Sequence, residues 1–287
     1  MMCDSPGRAA AYGQTIRFIA KGDALPPAWT RRSLTAGLLA LAACGPRTGA
    51  PPARTGAVRP PRFGDADPHP WAGRTPESYP VHGIDLSHWE GAADWTRLRE
   101  NGVNFAWLKA TEGGDRLDPQ FLASRAAARA AGVPVGAYHF WYHCRPAEEQ
   151  ARWFIRNVPR GGLPPVLDIE WTPFSPTCTI RPPAEAVRRE ARVFLEMLTR
   201  HYGQRPLVYL APDVWHDCEM WRLTGHEFWL RSVAGHPDDR FRNARWTFWQ
   251  YSGTGLIPGA RGEVDLNCFA GSPAAWRAWL AARTSPG

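Results

Sequence analysis

Residues 165–171 read Pro-Val-Leu-Asp-Ile-Glu-Trp, a short apolar run that follows a proline and carries two acids. The run is too short for a typical helix and is bounded by proline, so it predicts a buried strand. Side chains alternate between the two faces of a strand, which puts Asp168 and Glu170 on one face and Leu167 and Ile169 on the other. We expect the apolar face to pack on helices and the acidic face to open onto a site.

Similar apolar runs recur along the chain from Val81 onward. The predicted strands are Val81–Ser87, Asn104–Ala110, Val135–Trp141, Pro165–Glu170, Pro206–Leu210, Glu227–Val233, Trp246–Tyr251 and Glu263–Phe269. Amphipathic patterns with proline starts and glycine stops predict helices between the early strands and one at the end. These helices are Asp118–Ala131, Ala147–Asn157, Ala184–Tyr202 and Pro273–Ala282.

The alternation of strands and helices predicts an α/β fold. Strongly apolar strands separated by helices indicate a parallel sheet, and eight of them indicate closure into a TIM-barrel-like (β/α) barrel. The last three strands have little helix between them, so the barrel is expected to be irregular. An open doubly wound sheet is the alternative, but the sequence contains no Gly-rich phosphate loop to support it.

Polar residues stand at or near the carboxyl ends of the predicted strands, where barrel enzymes carry their catalytic groups. We therefore expect them to meet at one mouth of the barrel. They are Asp85, Lys109, Tyr138, His139, Asp168, Glu170, Gln250 and Tyr251, with Asp265 within the eighth strand.

The pair Asp168 and Glu170 has the chemistry of a glycosidase. Two carboxylates about 7 Å apart on one strand repel each other when ionised, so one of them holds its proton more strongly. The pair then supplies an acid and a charged partner, which glycoside cleavage requires, and Trp171 is expected to help by keeping water away. A metal site or an ion pair with arginine is the other interpretation of such a motif.

Lys109 is the only lysine after Lys21 in a chain that otherwise uses arginine. If it is partly buried it needs a carboxylate partner, for which Asp85 and Glu112 are the candidates; otherwise it is a surface lysine at a strand end. The histidines lie in different loops and are expected to be hydrogen-bonded rather than metal-bound. We expect no metal and no cofactor.

The tryptophan content favours flat apolar surfaces for a ligand, of which sugar rings are one kind, and burial of most of these residues in the core is the other interpretation. The chain has 15 Trp, and the flat C–H faces of sugars pack on aromatic rings. The net charge of +7 suits anionic partners such as cell-wall polymers, although a solvated Arg-rich surface explains it equally well. No basic helix or basic-aromatic run indicates nucleic-acid binding.

The N-terminal residues 1–44 are predicted to be an export signal. Arg31-Arg32 precede an apolar stretch from Ala36 to Ala43 that is too short to span a bilayer, which is the layout of a signal peptide and resembles the twin-arginine type. Leu41-Ala42-Ala43-Cys44-Gly45 resembles a lipobox, in which the cysteine is lipidated. An ordinary signal peptide that ends near a cysteine is the alternative. We expect an exported protein of the cell envelope, held by Cys44 to a membrane, or else secreted.

Residues 45–80 contain nine prolines and no apolar periodicity, so they predict a disordered tether ahead of a catalytic barrel at 81–287. Export and an even number of remaining cysteines favour two disulfides, with three pairings open. Cys144 and Cys178 follow neighbouring strands, which favours that pair. Cys218–Cys268 is then the second pair, and is the less secure.

The ordered motifs of this chain resemble the glycoside hydrolase family 25 muramidases, the Chalaropsis-type lysozymes. The resemblance covers roughly Val81 to Phe269. The motifs are Gly83-Ile84-Asp85-Leu86-Ser87 with Asp94-Trp95, Phe105 to Gly113, Gly136-Ala137-Tyr138-His139-Phe140, Leu167-Asp168-Ile169-Glu170, Trp249-Gln250-Tyr251 and Val264-Asp265-Leu266-Asn267.

The resemblance implies a barrel with about five flanking helices and hydrolysis of the β-1,4 bond from N-acetylmuramic acid to N-acetylglucosamine in peptidoglycan. It implies that Glu170 is the general acid, that Asp168 stabilises the positive charge on the sugar, and that Asp85 and Asp265 support the site. It also favours retention with help from the substrate's N-acetyl group, although the sequence leaves inversion open. The substrate-binding residues we expect are Tyr138, Lys109, Trp141, Trp171, Tyr209, Trp249 and Gln250.

The sequence departs from the family at His88-Trp89-Glu90 and at Arg231-Ser232, which affects the expected subsites more than the chemistry. Two other functions stay open: a non-catalytic peptidoglycan-binding lipoprotein, and a hydrolase of another N-acetylated glycan. We expect a monomer in each case.

Overall fold

The computed structural model describes residues 57–71, 73–241 and 244–283. Its strands are β1 (Gly64–Asp65), β2 (His82–Leu86), β3 (Ala106–Glu112), β4 (Arg116–Leu117), β5 (Val135–Phe140), β6 (Val166–Ile169), β7 (Leu207–Leu210), β8 (Glu227–Arg231), β9 (Trp246–Leu256) and β10 (Val264–Phe269). Its α-helices are α1 (Trp95–Glu100), α2 (Phe121–Ala130), α3 (Ala147–Asn157), α4 (Ala184–Tyr202), α5 (Pro212–Asp217), α6 (Pro237–Arg240) and α7 (Pro273–Arg283). Short 3-10 turns lie at Pro76–Ser78, His88–Glu90 and Met220–Arg222.

Eight strands close into a barrel in the order β9-β10-β2-β3-β5-β6-β7-β8, and β8 pairs back onto β9. All neighbours are parallel except β10, which runs antiparallel to both β9 and β2. The eight predicted strands are confirmed, and so is the irregular barrel. Helices α3 and α4 have the predicted bounds, whereas α2 begins at Phe121 because Asp118 is hydrogen-bonded to the His88 segment instead of starting the helix.

Alternating residues of the strands build two apolar layers. Ile84, Leu108 and Leu167 point outward and pack with the helices, whereas Trp107 and Trp229 point inward and fill the barrel. The inner rings leave no room for side chains beside them. A Cβ atom on Gly83 would lie 2.4 Å from the ring of Phe105, so glycine is required there.

Helix α7 closes one end of the barrel and does not flank it. Trp276 and Leu280 of α7 belong to the inner apolar layer, where the Trp276 ring lies 5.3 Å from both Phe105 and Phe269. Phe105 immediately precedes β3, so α7 covers the end at which the parallel strands begin. The opposite end, where the parallel strands have their carboxyl ends, is open, and we call it the mouth.

The prediction of a disordered tether is wrong for residues 57–71 and 73–80. Gly64 and Asp65 form β1 against β9, and Asn104 holds the backbone of Arg59 through two hydrogen bonds of 2.8 and 2.9 Å. Phe63, Trp71 and Tyr79 pack on the outer apolar layer. These contacts hold the segment on the barrel although its composition is rich in proline. Residues 45–56 and the proposed signal lie outside the described residues.

One of the two predicted disulfides is present. Cys144 and Cys178 are bonded, with their Cα atoms 5.7 Å apart, and join the segments that follow β5 and β6. The predicted Cys218–Cys268 bond is wrong, since both residues are free and buried. Cys268 points outward from β10 and Cys218 ends α5 after β7, so strands β8 and β9 lie between these two positions in the barrel order.

None of the helices formed by the described residues combines the length and the apolar character needed to cross a bilayer.

Candidate active site

The inward face of the barrel carries polar side chains at the mouth. Most of them follow an inner apolar residue of the same strand by two or four positions, as Lys109 follows Trp107, whereas Asp265 and Asn267 on the antiparallel β10 precede the inner Phe269. The inward residues near the mouth are Asp85, Lys109, Tyr138, Asp168, Glu170, Tyr209, Arg231, Gln250, Asp265 and Asn267. All eight strands of the barrel therefore contribute to one site.

Asp168 and Glu170 leave β6 on the same, inward side, as predicted. Val166 shares this face and belongs to the inner layer, whereas Leu167 and Ile169 belong to the outer layer. Asp168 is buried and Glu170 is partly exposed at the mouth. Strand geometry sets their Cα atoms about 7 Å apart.

The two carboxyl groups hold protons more strongly than free acids. Burial raises the pKa of Asp168 well above its ordinary value, and the negative charge of Glu170 raises this pKa further. Burial also raises the pKa of Glu170, although the positive charge of Arg231 and the Tyr209 hydroxyl oppose that rise. Oδ1 of Asp168 is buried with no hydrogen-bond partner among the described residues, so no hydrogen bond to this atom stabilises the ionised form. Of the two groups, Asp168 therefore holds its proton more strongly than Glu170.

Asp85 is held by an amide network at the base of the mouth. Its Oδ1 accepts hydrogen bonds from Asn267 Nδ2 at 2.7 Å and Gln250 Nε2 at 3.0 Å. The amide oxygen of Gln250 accepts from Tyr209 at 2.8 Å, and that of Asn267 accepts from Trp229 at 2.7 Å. These bonds orient the carboxyl group, which agrees with the predicted supporting role.

Asp265 lies directly across from Asp85, because the two residues are partners in the β10–β2 pairing. Burial is the main cause that raises the pKa of Asp265, to about 7, and the charge of Glu90 adds to it. Burial and the charge of Asp265 raise the pKa of Asp85 well above its ordinary value. The mouth therefore carries less negative charge at neutral pH than its number of acids suggests.

Lys109 is partly buried and forms an ion pair with Glu112, one of its two predicted partners. Its Nζ atom lies 2.7 Å from Glu112 Oε2 and 4.6 Å from the centre of the Phe140 ring. The hydroxyl of Tyr142 donates to the other Glu112 oxygen. Asp85, the other candidate, is not the partner. The positive charge of Lys109 opposes the rise in the pKa of Asp168.

Three tryptophans predicted to bind substrate are buried away from the mouth. Trp249 is fully buried in the outer layer, because it alternates with the inward Gln250, and its indole donates to the Ser232 carbonyl at 2.8 Å. Trp141 is also in the outer layer, against Phe194. The ring of Trp171 is covered by His143 and Arg181. The prediction is therefore wrong for all three.

The remaining predicted binding residues do reach the site. Tyr138 is half-buried and faces inward, and the charges of Asp85 and Asp168 add to the effect of burial in raising its pKa. Tyr209 and Gln250 are buried, so they act by holding the carboxylates and not by opening a surface to the ligand. Of these four predicted binding residues, Lys109 and Tyr138 are partly exposed.

The histidines near the site are hydrogen-bonded, as predicted. His88 Nδ1 bonds to Asp118, His139 lies between Thr111 and Gln150, and His143 Nε2 bonds to the Glu170 carbonyl oxygen. No cluster of His, Cys, Asp and Glu suited to a metal ion occurs within the described ranges.

Three functional candidates were missing from the predicted site. Asn267 could have been found, because it lies two positions after Asp265 on the same strand face. Trp89 is 79% exposed on the turn that follows β2, where its ring centre lies 4.4 Å from that of His88 at an interplanar angle of 36°. Arg231 ends β8 on its inward face, and the sequence marked this residue only as a departure from a family.

Comparison with known proteins gives a consistent result. The family model described as "Glycosyl hydrolases family 25" matches residues 84–260. The uncharacterized protein YegX of Escherichia coli K12 is 33% identical over 206 residues, which cover 69% of this chain and 73% of YegX. Lysozyme M1 of Streptomyces globisporus is 34% identical over 213 residues, covering 68% of this chain and 69% of that protein.

Solved structures show the same similarity. A family 25 glycosyl hydrolase from Bacillus anthracis superposes with a TM-score of 0.65 at 31% identity, covering 74% of this chain and 99% of that one. The bacterial lysozyme from Streptomyces coelicolor superposes with a TM-score of 0.61 at 32% identity, and the match covers 69% of this chain and 96% of that one.

Proposed function

This chain belongs to the glycosyl hydrolases of family 25, and on that premise we propose that Glu170 and Asp168 are the catalytic pair of a peptidoglycan-cleaving lysozyme. The enzyme is a glycoside hydrolase of the lysozyme type, and its substrate is peptidoglycan. The bond cleaved is the β-1,4 bond between N-acetylmuramic acid and N-acetylglucosamine. The observation that carries the proposal is the inward, mouth-facing position of both acids on β6.

Glu170 is the general acid because it is the member of the pair that reaches the open side of the mouth. Its raised pKa keeps it protonated further toward neutral pH, and it donates this proton to the leaving glycosidic oxygen as the bond breaks. Asp168 sits deeper, where it stabilises the positive charge that develops on the sugar. That charge favours the ionised form of Asp168, so substrate binding lowers its proton affinity and leaves the proton on Glu170.

Asp85 and Asp265 support this pair. Asp85 is oriented by Asn267 and Gln250, and its neighbour Asp265 changes its charge near neutral pH. Tyr138, between these acids and Asp168, is placed to contact the sugar. Lys109 contributes a positive charge that its partner Glu112 holds in place.

We favour retention of configuration through the substrate's own N-acetyl group. Its carbonyl oxygen attacks C1 as the leaving oxygen takes the proton of Glu170, and Asp168 accepts a hydrogen bond from the N–H group. Water, which loses a proton to Glu170, then opens the oxazolinium intermediate. NMR of the fresh product checks this mechanism, since the β-anomer is expected first and initial formation of the α-anomer would exclude it.

Trp89 provides a flat apolar surface next to the mouth. The turn that carries it is rigid, because Ser87 N and Oγ bond to Glu90 at 2.6 and 3.0 Å, and His88 N bonds to Asp118 at 2.7 Å. An exposed indole on a turn held by hydrogen bonds can pack against the C–H face of a sugar ring. We assign to it a binding role for the glycan strand.

The decisive test is Glu170→Gln, with Glu185→Gln on the exposed face of α4 as the matched control. Loss of the general acid is expected to reduce release of reducing ends from purified sacculi by roughly 10²–10⁴-fold. The control variant should keep full activity, and both variants should unfold at the same denaturant concentration as the parent. Normal activity of the Glu170 variant would refute the assignment. Binding of the parent protein to sacculi without new reducing ends would instead support a non-catalytic role.

We also propose that the enzyme acts as a monomer at the cell envelope, anchored through Cys44. Support comes from the Leu41-Ala42-Ala43-Cys44-Gly45 sequence, which precedes a segment of 12 residues, 45–56, ahead of the described part. Such a segment spans at most about 40 Å when fully extended. Cys44→Ala should release the protein from the membrane fraction, and an unchanged distribution would contradict the anchor.

A further inference from the structure

Arg231 is an arginine that points into the mouth beside the catalytic pair. It is the last residue of β8, two positions after the inward Trp229, and its register partner on β9 is the inward Gln250. The positive charge of Arg231 opposes the rise in the pKa of Glu170 and of Asp265. Its positive charge therefore acts on a catalytic acid and on a supporting acid from the inward face of β8.

The two cations of the mouth differ in their partners. Lys109 is bonded to Glu112 at 2.7 Å, so its charge is already balanced by a neighbour. Arg231 is exposed, and within the described ranges it forms no ion pair within 4.0 Å and no side-chain hydrogen bond. No described acid lies within ion-pairing distance of Arg231, so its planar set of N–H donors is open toward the cleft.

An open guanidinium next to the scissile bond is suited to a carboxylate, which it binds through two parallel hydrogen bonds. N-acetylmuramic acid carries one carboxyl group, on the lactyl ether at its ring. In intact peptidoglycan that carboxyl group is an amide and has no charge. The carboxylates of the stem peptide lie further out, each residue adding about 3.5 Å of extended chain. Because Arg231 points into the same mouth as Glu170 and its charge acts on that acid, a carboxylate on the sugar itself fits better than one on a peptide.

We propose that Arg231 is a specificity residue that binds the free lactyl carboxylate of muramic acid, so that the enzyme prefers glycan strands without stem peptides. This inference rests on the proposed lysozyme function. The reaction that supplies such a substrate is hydrolysis of the amide between the lactyl group and the first amino acid. The raised pKa values of Asp85 and Asp265 reduce the repulsion that an incoming carboxylate meets.

The experiment compares three substrates with the full-length protein. These are intact sacculi, the same glycan freed of stems by an amidase, and the stem-free glycan with its carboxyl groups methyl-esterified. The variants are Arg231→Gln, Arg231→Lys and, as a control for lost charge, Arg129→Gln on the exposed face of α2. The readout is kcat/KM on each substrate and its pH profile.

We expect the parent enzyme to prefer the stem-free glycan, and Arg231→Gln to lose roughly 10–100-fold in kcat/KM on that substrate alone. Arg231→Lys should recover part of this loss, and Arg129→Gln should lose nothing. An equal loss on all three substrates, with a shifted pH profile, would overturn the proposal, because Arg231 would then act only through Glu170. A loss confined to intact sacculi would also overturn it, in favour of a stem carboxylate.

The experiment distinguishes a failure of the role proposed for Arg231 from a failure of the proposed lysozyme function. Glu170→Gln is expected to be inactive on all three substrates whatever Arg231 does. If the parent enzyme cleaves none of them, the lysozyme assignment fails. If it cleaves all three and Arg231→Gln behaves like the parent, only the role of Arg231 fails.

Discussion

Replacing Asp265 with asparagine should stabilise the protein at alkaline pH while it damages the site. The pKa of Asp265 rises from its ordinary value of 3.8 to about 7, mainly because of burial beside other acids. A buried acid whose folded-state pKa is raised favours the folded state below the unfolded pKa, where it is protonated. That contribution is lost as the pH rises from about 4 through about 7, because the folded protein must then ionise a group that the unfolded chain ionises easily.

The size of the effect follows from the pKa values. A rise from 3.8 to about 7, at about 1.4 kcal/mol per pKa unit, destabilises the folded state by about 4 kcal/mol above pH 8. Water in the mouth reduces this value, so we expect a gain of about 2–4 kcal/mol for Asp265→Asn at pH 8. At pH 4 the asparagine replaces a protonated carboxyl group of nearly the same shape, so the two proteins should be equally stable there.

Urea unfolding of the parent and of Asp265→Asn at pH 4, 6 and 8 measures this difference. Asp239→Asn, at an exposed position on α6, controls for the loss of one negative charge. The gain should appear between pH 4 and 8 for Asp265→Asn and be absent for the control. A difference that does not change with pH, or a variant less stable than the parent at pH 8, would refute the reasoning about this buried acid.

Three further predictions concern the cysteines and the surface next to the mouth. Replacing Cys144 and Cys178 with serine should lower the free energy of unfolding by about 4 kcal/mol, the chain-entropy value for a sequence separation of 34. Iodoacetamide labelling of denatured, unreduced protein should modify Cys218 and Cys268 but not the other pair, and protection of all four would show the second bond to exist. Trp89→Ala should raise KM for long glycan about fivefold with unchanged kcat, since a stacking contact contributes about 1 kcal/mol. Leu122→Ala, exposed on α2, is its control, and an unchanged KM would remove Trp89 from the binding surface.

The alternation of side chains along each strand was enough to predict most of the catalytic pair's geometry. It placed Asp168 and Glu170 together and Leu167 on the opposite face, and the structure agrees. The same rule would have excluded Trp249, which is adjacent to the inward Gln250, had it been applied there. The strands were equally predictable, because short apolar runs between helix patterns depend on local sequence alone.

Contacts between residues distant in sequence could not be predicted in this way. Asn267 and Asp85 are 182 positions apart, and only closure of the barrel brings the amide to the acid. The same closure separates Cys218 from Cys268 and places α7 inside the barrel end, where Trp276 packs on Phe105. Proline-rich composition suggested disorder in the segment before β2, yet its aromatic side chains found apolar surface on the barrel.

The amino-acid sequence by itself determined the strands, the inward direction of the two acids on β6 and the kind of chemistry they perform, because all three depend on neighbours along the chain. The tertiary structure decided which acid holds its proton more strongly and which cation is left open for a ligand. Burial and the charges of other strands set those properties, and Asp168, Glu170, Lys109 and Arg231 acquire them only when the barrel closes.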